Sequence, residues 1–129
     1  MNGRFLLDTN IVIALFAEDT SVQKGLAEAQ QVFLPTIVLG ELYYGAFKSS
    51  RIDENIARVD ELAAVSAALG PNTATAKEYG AIKDTLRNKS RPIPENDIWI
   101  AAITKQYDLT LVTRDEHFKE VEGIAIETW

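Results

Sequence analysis

Four short apolar runs are distributed along the chain, and each is only three or four residues long. They occupy residues 5–7, 32–34, 109–112 and 124–126. Runs this short and this apolar are typical of strands that are buried on both faces of a parallel sheet. Because longer segments with helical periodicity lie between them, we predict an α/β fold, specifically a three-layer α/β/α sandwich around a mostly parallel, short-stranded sheet.

Six segments between these runs carry apolar residues at the spacing of an α-helix. We place the helices at about 11–18, 21–30, 36–45, 53–62, 73–88 and 95–106. Polar residues that can cap a helix precede the first three, namely Thr9 or Asn10, Thr20 or Ser21, and Thr36. Residues 63–69 fit either the end of the fourth helix or a short strand.

The length and composition are those of an ordinary globular protein, and we expect one domain over residues 1–129. With 47% hydrophobic residues, the chain still has no apolar run that approaches the roughly 20 residues of a membrane span. The absence of cysteine excludes a disulfide framework, thiolate-bound zinc and a cysteine nucleophile. We therefore expect a cytoplasmic protein that is not embedded in a membrane.

The net charge of −6 shows that the chain lacks the basic character of a general nucleic-acid binder. An enzyme with clustered carboxylates can nevertheless bind phosphate through a metal ion and a local basic patch. The most basic stretch contains Lys83, Arg87, Lys89 and Arg91. These cations could contact phosphate, or they could form the solvated end of a helix.

Two acids directly follow predicted strands. Asp8 comes immediately after the run at 5–7, and Asp115 lies just beyond the run at 109–112. In open α/β sheets, ligands bind at the carboxyl ends of the strands. Both carboxylates are therefore expected at the edge of the sheet where chemistry takes place.

Two further acids interrupt the apolar faces of predicted helices. Glu41 has Val38 and Leu42 as neighbours in the third helix, and Asp97 stands at the start of the strongly apolar segment 98–103. A carboxylate on a core-facing side is costly to bury unless it is paired or binds a metal ion. Both positions therefore call for a functional explanation.

Each acid, considered alone, is weak evidence for a site. Asp8 can cap a helix, Asp97 can complement a helix dipole, and Asp115 can belong to an ordinary turn. Glu41 is harder to explain in this way, because a mid-helix acid on an apolar face has no capping role. The combination of the four acids is what indicates a shared site.

Four carboxylates in one pocket would need a compensating positive charge. Two unit charges about 5 Å apart repel by roughly 3 kcal/mol at an effective dielectric of about 20. Protons or divalent cations must therefore enter such a site. With oxygen ligands, no cysteine and a single histidine, the sequence favours Mg²⁺ or Mn²⁺ over zinc.

Four sequence segments carry a resemblance to a known family. They are residues 6–10 (LLDTN), 39–45 (LGELYYG), 92–102 (PIPENDIWIAA) and 109–115 (LTLVTRD). In order and spacing they resemble a PIN-domain ribonuclease, specifically the toxin of a VapBC-type, or type II, toxin–antitoxin pair. The segments span essentially the whole chain, whereas residues 46–90 match only in general character.

The resemblance implies a PIN-like fold and a Mg²⁺- or Mn²⁺-dependent endoribonuclease that hydrolyses RNA by a metal-activated water. It also implies a homodimer and a cognate antitoxin protein as inhibitor. Asp8 and Asp97 would be the chief metal ligands, and Glu41 and Asp115 would complete the acidic site as further catalytic and metal-binding residues. Glu41 would orient or deprotonate the attacking water, and Asp115 would bind a second, weaker metal ion.

Three residues beside these acids are further candidates. Asn10 and Thr113 could orient the carboxylates, although capping explains Asn10 equally well. Arg114 is placed to contact the substrate phosphate.

Alternatives to this function come from two directions. The same fold could serve an RNA-processing nuclease without an antitoxin, or a catalytically silent module that binds RNA or protein. A haloacid-dehalogenase-like phosphatase needs a second aspartate two residues after Asp8, where this chain has Asn10. A receiver domain needs paired acids at the first strand and a lysine after the last main strand, and the sequence offers neither.

Several aromatic and histidine residues are open to more than one interpretation. His117, the only histidine, is interpreted as a surface or loop residue without a partner, and Trp99 as a core residue. Tyr43, Tyr44 and Phe47 could contact a second subunit or the antitoxin, or they could pack in the core.

Overall fold

Five parallel strands form the centre of the protein. A computed structural model describes residues 3–129, and its strands are β1 (Arg4–Leu7), β2 (Gln31–Pro35), β3 (Ala67–Leu69), β4 (Thr110–Val112) and β5 (Ala125–Glu127). They make one sheet in the order β3-β2-β1-β4-β5, and every neighbouring pair is parallel. The predicted α/β class with a short-stranded parallel sheet is confirmed.

Within residues 3–129, six α-helices and one 3₁₀ helix connect these strands. The α-helices are α1 (Thr9–Phe16), α2 (Thr20–Glu28), α3 (Thr36–Phe47), α4 (Ile52–Val65), α5 (Thr73–Asn88) and α6 (Glu95–Gln106). All six were predicted, while the 3₁₀ helix Glu116–Glu120 was not. The ambiguous segment 63–69 contains both the end of α4 and strand β3. Among residues 3–129, no helix combines the length and the apolar character that a membrane crossing requires.

The chain builds the sheet outward from β1 toward one edge, and then from β4 toward the other edge. The chain runs from β1 through β2 to β3 at one edge, then crosses back to β4 and β5 on the other side. Because crossovers between parallel strands are right-handed, α1–α4 cover one face of the sheet and α5–α6 cover the other. The carboxyl ends of β1 and β4 therefore form the switch point at which ligands bind in open α/β sheets.

Strands β1 and β4 and helix α6 each contribute fully buried side chains to the core. Leu6 and Leu111 pair across the two strands and are completely buried, as is Ile100 on α6. Trp99, which the sequence placed in the core, is only half-buried. Its ring stacks on Tyr79 of α5 with ring centroids 4.1 Å apart, because this side of α6 faces the neighbouring helix.

The helix caps differ from those expected. Asp8 rather than Thr9 or Asn10 caps α1, and Asp19 caps α2 by accepting hydrogen bonds from two backbone N–H groups. Helix α3 follows Pro35 without a side-chain cap. The first two helices begin earlier than their apolar periodicity indicated, so the acid before each one occupies the N-cap position.

One glycine is required by close packing. A Cβ atom on Gly25 of α2 would lie 2.4 Å from the ring of Trp129. That ring packs edge-on against Phe5 of β1, with centroids 5.1 Å apart. Only a residue without a side chain lets α2 approach the end of the described chain this closely.

We predict that Gly25→Ala lowers the free energy of unfolding by about 1–3 kcal/mol, although alanine is the better helix former. The added methyl group would push Trp129 off Phe5 and expose both rings. Urea unfolding followed by circular dichroism measures the change.

The matched control is Gly80→Ala on α5, where no heavy atom lies within 4 Å of the added Cβ. We expect this substitution to stabilise the protein by up to about 1 kcal/mol. An equal gain in both variants would show that Trp129 places no constraint on position 25.

Candidate metal centre

Asp8 connects the end of β1 to the start of α1. Its Oδ1 accepts a hydrogen bond from the backbone N–H of Thr9 at 2.8 Å. Its own N–H donates to the carbonyl oxygen of Val112 at 3.0 Å, which extends the β1–β4 ladder by one residue. The residue is only 5% exposed, so its carboxylate is largely shielded from water at the switch point.

Thr113 lies beside Asp8 because of the strand register. Leu7 is paired with Val112, so the residues that follow them are neighbours. The Thr113 hydroxyl donates to Asp8 Oδ2 at 2.7 Å, and the Asn10 amide donates to the same oxygen at 3.4 Å. Thr113 and Asn10 therefore both contact the carboxylate that they were predicted to orient.

Asp97 reaches the same edge from the first turn of α6. Its backbone N–H donates to the carbonyl oxygen of Pro94 at 3.0 Å, and its side chain is 14% exposed. One carboxylate oxygen, Oδ2, lies 3.1 Å from Nδ1 of His117. The apolar face of α6 packs against the sheet, and this acid emerges where the helix begins.

His117 connects two of the four acids. Its Nδ1 lies 3.0 Å from Asp115 Oδ1 as well as 3.1 Å from Asp97 Oδ2. Its backbone N–H also donates to Asp115 Oδ1, at 2.9 Å, because Asp115 caps the 3₁₀ helix. The interpretation of His117 as a residue without a partner is therefore wrong, although its side chain is half-exposed.

Sequence reasoning could have found only half of this arrangement. An acid two residues before a histidine is a typical capping pattern, and it would have linked His117 to Asp115. The contact with Asp97 joins residues that are 20 positions apart. It depends on how the 3₁₀ helix packs against α6, which the local pattern does not indicate.

Glu41 approaches the site from α3 on the opposite face of the sheet from α6. Burial raises the pKa of its carboxyl, the nearby Thr9 hydroxyl lowers it in part, and the negative charges of Asp8 and Asp97 raise it further. The side chain also lines a cavity of about 170 Å³ between α1, α3 and α4. Glu41 is thus half-buried beside two other acids.

Burial and repulsion by neighbouring acids raise the pKa values of Asp8 and Asp97 as well. Burial raises the pKa of Asp8, hydrogen bonds from Thr113 and Thr9 lower it in part, and the charge of Asp115 raises it again. Burial also raises the pKa of Asp97; the bond to His117 opposes this shift, and the charges of Asp8 and Asp115 add to it. The four acids predicted from sequence therefore form one electrostatic cluster.

The donor chemistry of this cluster fits a divalent cation. Donor atoms of Asp97, Asp115 and His117 lie within 4.8 Å of one another. The buried hydroxyl oxygen of Thr9, next to Asp8, makes no hydrogen bond of regular geometry, although it lies close enough to Glu41 to lower the pKa of that carboxyl. Carboxylates that are buried and mutually repelled lack positive charge, and a hard cation with oxygen ligands would supply it.

Arg114 does not direct its guanidinium at the four acids. It donates to Asp19 Oδ2 at 3.0 Å and to the carbonyl oxygen of Trp129 at 2.9 Å. Hydrogen bonds from Ser21 and Arg114 hold the pKa of Asp19 well below its usual range. Only the backbone of Arg114 reaches toward the site, where its N–H donates to Asn10 Oδ1 at 3.3 Å.

Sequence comparison identifies the family. The chain matches the family model of the PIN domain over residues 5–124. The chain belongs to the PIN domain family. A curated relative, Ribonuclease VapC2 of Haemophilus influenzae, is 32% identical over 129 residues, with 98% of each chain covered. Another, tRNA(fMet)-specific endonuclease VapC of Shigella flexneri, is 30% identical, also with 98% of each chain covered.

Solved structures share the same PIN-domain architecture. The structure of VapBC2 from Rickettsia felis, bound to a DNA fragment from their promoter, contains a chain that is 27% identical to this one. The alignment covers 98% of both chains with a TM-score of 0.90. The resemblance to VapBC-type PIN-domain toxins, first indicated by four sequence segments, is confirmed.

The raised pKa values predict how the stability of the metal-free PIN domain depends on pH. A carboxyl whose pKa is higher in the folded state than in the unfolded state contributes its full stabilisation at pH values below the unfolded pKa, which is 3.8 for Asp97. That contribution is lost as the pH rises through the folded pKa. We expect the free energy of unfolding in EDTA to fall between mildly acidic and neutral pH, and to fall less in Asp97→Asn. Urea unfolding at a series of pH values measures both.

Asp84→Asn, at an exposed position of α5, is the matched control and should follow the wild-type pH dependence. Addition of Mg²⁺ should restore more stability at neutral pH than at acidic pH, because the acids are then ionised. A difference between Asp97→Asn and wild type that does not vary with pH would contradict the assignment.

Proposed function

We propose that this PIN domain is a Mg²⁺-dependent endoribonuclease, with Mn²⁺ as a possible substitute, and that it acts as the toxin of a type II toxin–antitoxin pair. The observation that carries the proposal is the convergence of Asp8, Glu41, Asp97 and Asp115 at the switch point of the sheet. The names of the relatives add to it, since one is called a ribonuclease and another a tRNA-specific endonuclease.

Asp8 and Asp97 would hold the cation, with Asp115 as a further ligand. When bound, a divalent cation lowers the pKa of an attacking water and neutralises charge on the phosphoryl oxygens. Asp8 is suited to an anchoring role because Thr9 and Thr113 fix both of its oxygens by hydrogen bonds of 2.8 and 2.7 Å. A carboxylate held this rigidly loses little freedom on binding a metal ion.

Glu41 would accept a proton from the attacking water. Its pKa is raised mainly by burial, and a base is most effective when its pKa lies close to the working pH. It approaches from α3, whereas Asp97 approaches from α6. Glu41 and Asp97 therefore reach the switch point from opposite faces of the sheet.

Two alternatives use the same fold. An RNA-processing PIN nuclease without an antitoxin would share the acids and the chemistry, and would differ only in its partner. A catalytically silent binding module is disfavoured, because it would have no use for four acids that repel one another at a cost to stability.

An antitoxin partner and a homodimer complete the proposal. The relative from Rickettsia felis was solved as VapBC2, a toxin–antitoxin complex. Beside Glu41, the cavity between α1, α3 and α4 is lined by apolar residues that include Ile13 and Phe16, and Ile13 is 56% exposed. A partner that fills this apolar cavity would also cover the acids. Tyr44 and Phe47, both more than half exposed on α3, are available for a second subunit.

We expect the purified protein to cleave structured RNA in the presence of Mg²⁺ or Mn²⁺ and to stop when EDTA is added. Asp8→Asn and Asp97→Asn should each reduce the rate at least about a hundredfold, because each removes one charge from the site that stabilises the transition state. Gel analysis of end-labelled transfer RNA and ribosomal RNA measures cleavage and identifies the RNA that is cut.

The folded state of each variant is checked by circular dichroism, and Asp84→Asn serves as a charge-matched control with wild-type activity. Full activity of Asp97→Asn would exclude the metal-site assignment. RNA binding without cleavage by the wild-type protein would favour the silent module.

A toxin should arrest growth when it is expressed alone, and co-expression of a small protein encoded beside it should relieve the arrest. We predict that Ile13→Gln stays toxic but is rescued less well, because it removes an apolar contact from the cavity without changing its charge. Val65→Gln, which replaces an apolar residue that is 82% exposed on α4, is the matched control and should be rescued normally. Growth without any arrest would instead favour the RNA-processing alternative.

A further inference from the structure

The only histidine of the chain lies within the acidic cluster. His117 Nδ1 is 3.1 Å from Asp97 Oδ2 and 3.0 Å from Asp115 Oδ1. The two acids come from different elements, the start of α6 and the turn after β4. An imidazole nitrogen is therefore placed between two carboxylates that the tertiary structure brings together.

The spacings from the His117 nitrogen to the two carboxylate oxygens are those of neighbouring ligands around one ion. In an octahedral site with bonds of about 2.1 Å, adjacent ligand atoms are about 3.0 Å apart. The two distances from His117 to Asp97 and Asp115 have this value, and donor atoms of all three side chains lie within 4.8 Å of one another. Little movement would be needed for the three side chains to share a cation.

A hydrogen bond from His117 Nδ1 can satisfy only one of the two carboxylates beside it. Nδ1 can carry a single hydrogen, yet it faces an oxygen of Asp97 and an oxygen of Asp115 at nearly equal distances. The same Asp115 oxygen already accepts the backbone N–H of His117 at 2.9 Å. A cation between the side chains would interact favourably with both carboxylates and with the nitrogen at once.

A nitrogen ligand changes which metal ion is preferred. Mg²⁺ is a hard ion that is bound almost entirely by oxygen, whereas imidazole suits transition metals. A site with two carboxylates and one imidazole should therefore favour Mn²⁺ over Mg²⁺. Asp8 and Glu41 have no nitrogen donor of this kind among their described contacts.

We propose that His117 is a direct metal ligand, and that with Asp97 and Asp115 it forms a cation position that selects Mn²⁺ over Mg²⁺. The inference rests on the proposed function in that it concerns the same acidic site, but it can be tested without any RNA. It assigns His117 a role beyond that of the four acids, and it explains why the imidazole lies between two of them.

The test is pulsed electron paramagnetic resonance of Mn²⁺ bound to the intact protein, produced without a histidine tag. Because the chain has one histidine, any nitrogen coupling typical of a coordinated imidazole must come from His117. We expect this coupling in the wild-type protein. Mn²⁺ bound without nitrogen coupling would overturn the proposal.

His117→Asn separates metal ligation from positioning. The asparagine amide nitrogen lies close to the place of histidine Nδ1 and can still donate a hydrogen bond to Asp97 or Asp115, but an amide nitrogen does not ligate metal ions. If the amide turns over, it presents an oxygen, which suits Mg²⁺ as well as Mn²⁺ and therefore does not preserve a preference for Mn²⁺. We expect Mn²⁺ affinity, measured by titration calorimetry, to fall about tenfold or more. Mg²⁺ affinity should change by no more than about twofold, since Mg²⁺ gains little from the nitrogen.

Lys119→Asn, on the same 3₁₀ helix, is the matched control. Its side chain is 70% exposed and pairs with Glu116, so both metal affinities and the nitrogen coupling should be unchanged. An equal loss of Mn²⁺ and Mg²⁺ affinity in His117→Asn would show that the histidine only positions the acids, and would overturn the proposal.

Failure of this inference can be distinguished from failure of the proposed function. Nitrogen-coupled Mn²⁺ in a protein that cleaves no RNA would leave the metal ligand established and remove the ribonuclease. Mg²⁺-dependent RNA cleavage by a protein whose Mn²⁺ shows no nitrogen coupling would establish the ribonuclease activity and exclude His117 as a metal ligand.

Discussion

The parallel pairing of β1 with β4 is the interaction on which the site depends. It places Thr113 beside Asp8 and ends both strands at the same edge, so that a hydroxyl and a backbone N–H fix the two oxygens of a buried carboxylate. These bonds lower the pKa of Asp8, but burial outweighs them. The hydrophobic core therefore holds the Asp8 carboxylate where its negative charge is not fully compensated.

This lack of positive charge around Asp8 explains the arrangement of the surrounding elements. Glu41 and Asp97 come from helices on opposite faces of the sheet, and each adds negative charge to a region that is already short of positive charge. Such a cluster is unfavourable for folding alone, because every raised pKa reflects a cost of ionisation at neutral pH. Local instability of this kind is expected where a protein is organised to bind a cation, since the ion then contributes to stability as well as to chemistry.

Several cations of the chain form ion pairs with acids outside the cluster. Arg114 is bonded to Asp19, and Lys83 forms an ion pair with Glu95 at 2.6 Å. His117 is the one basic side chain that the described contacts place between two of the four acids. The molecule therefore combines an acidic edge of the sheet with one imidazole, which distinguishes this candidate site from one built of carboxylates alone.

Much of the fold and of the site was accessible from the sequence, because it depends on local pattern. Short apolar runs indicated four of the five strands described and left β3 ambiguous, and helical spacing indicated all six α-helices described. Acids after strands or on apolar helix faces indicated Asp8, Glu41, Asp97 and Asp115 as site candidates. The helix caps were harder to predict, because a shift of one residue decides whether Asp8 or Thr9 is the N-cap of α1.

Contacts between distant segments were decided only by the tertiary structure. The position of Trp99 against Tyr79, the approach of Trp129 to Gly25 and the diversion of Arg114 to Asp19 all join separate elements. The same is true of His117, whose bond to Asp97 spans 20 positions. The sequence by itself determined which acids are candidates for the site, because periodicity and residue type are local properties. Packing of the 3₁₀ helix against α6 decided that the histidine joins them, because no local pattern encodes that distance.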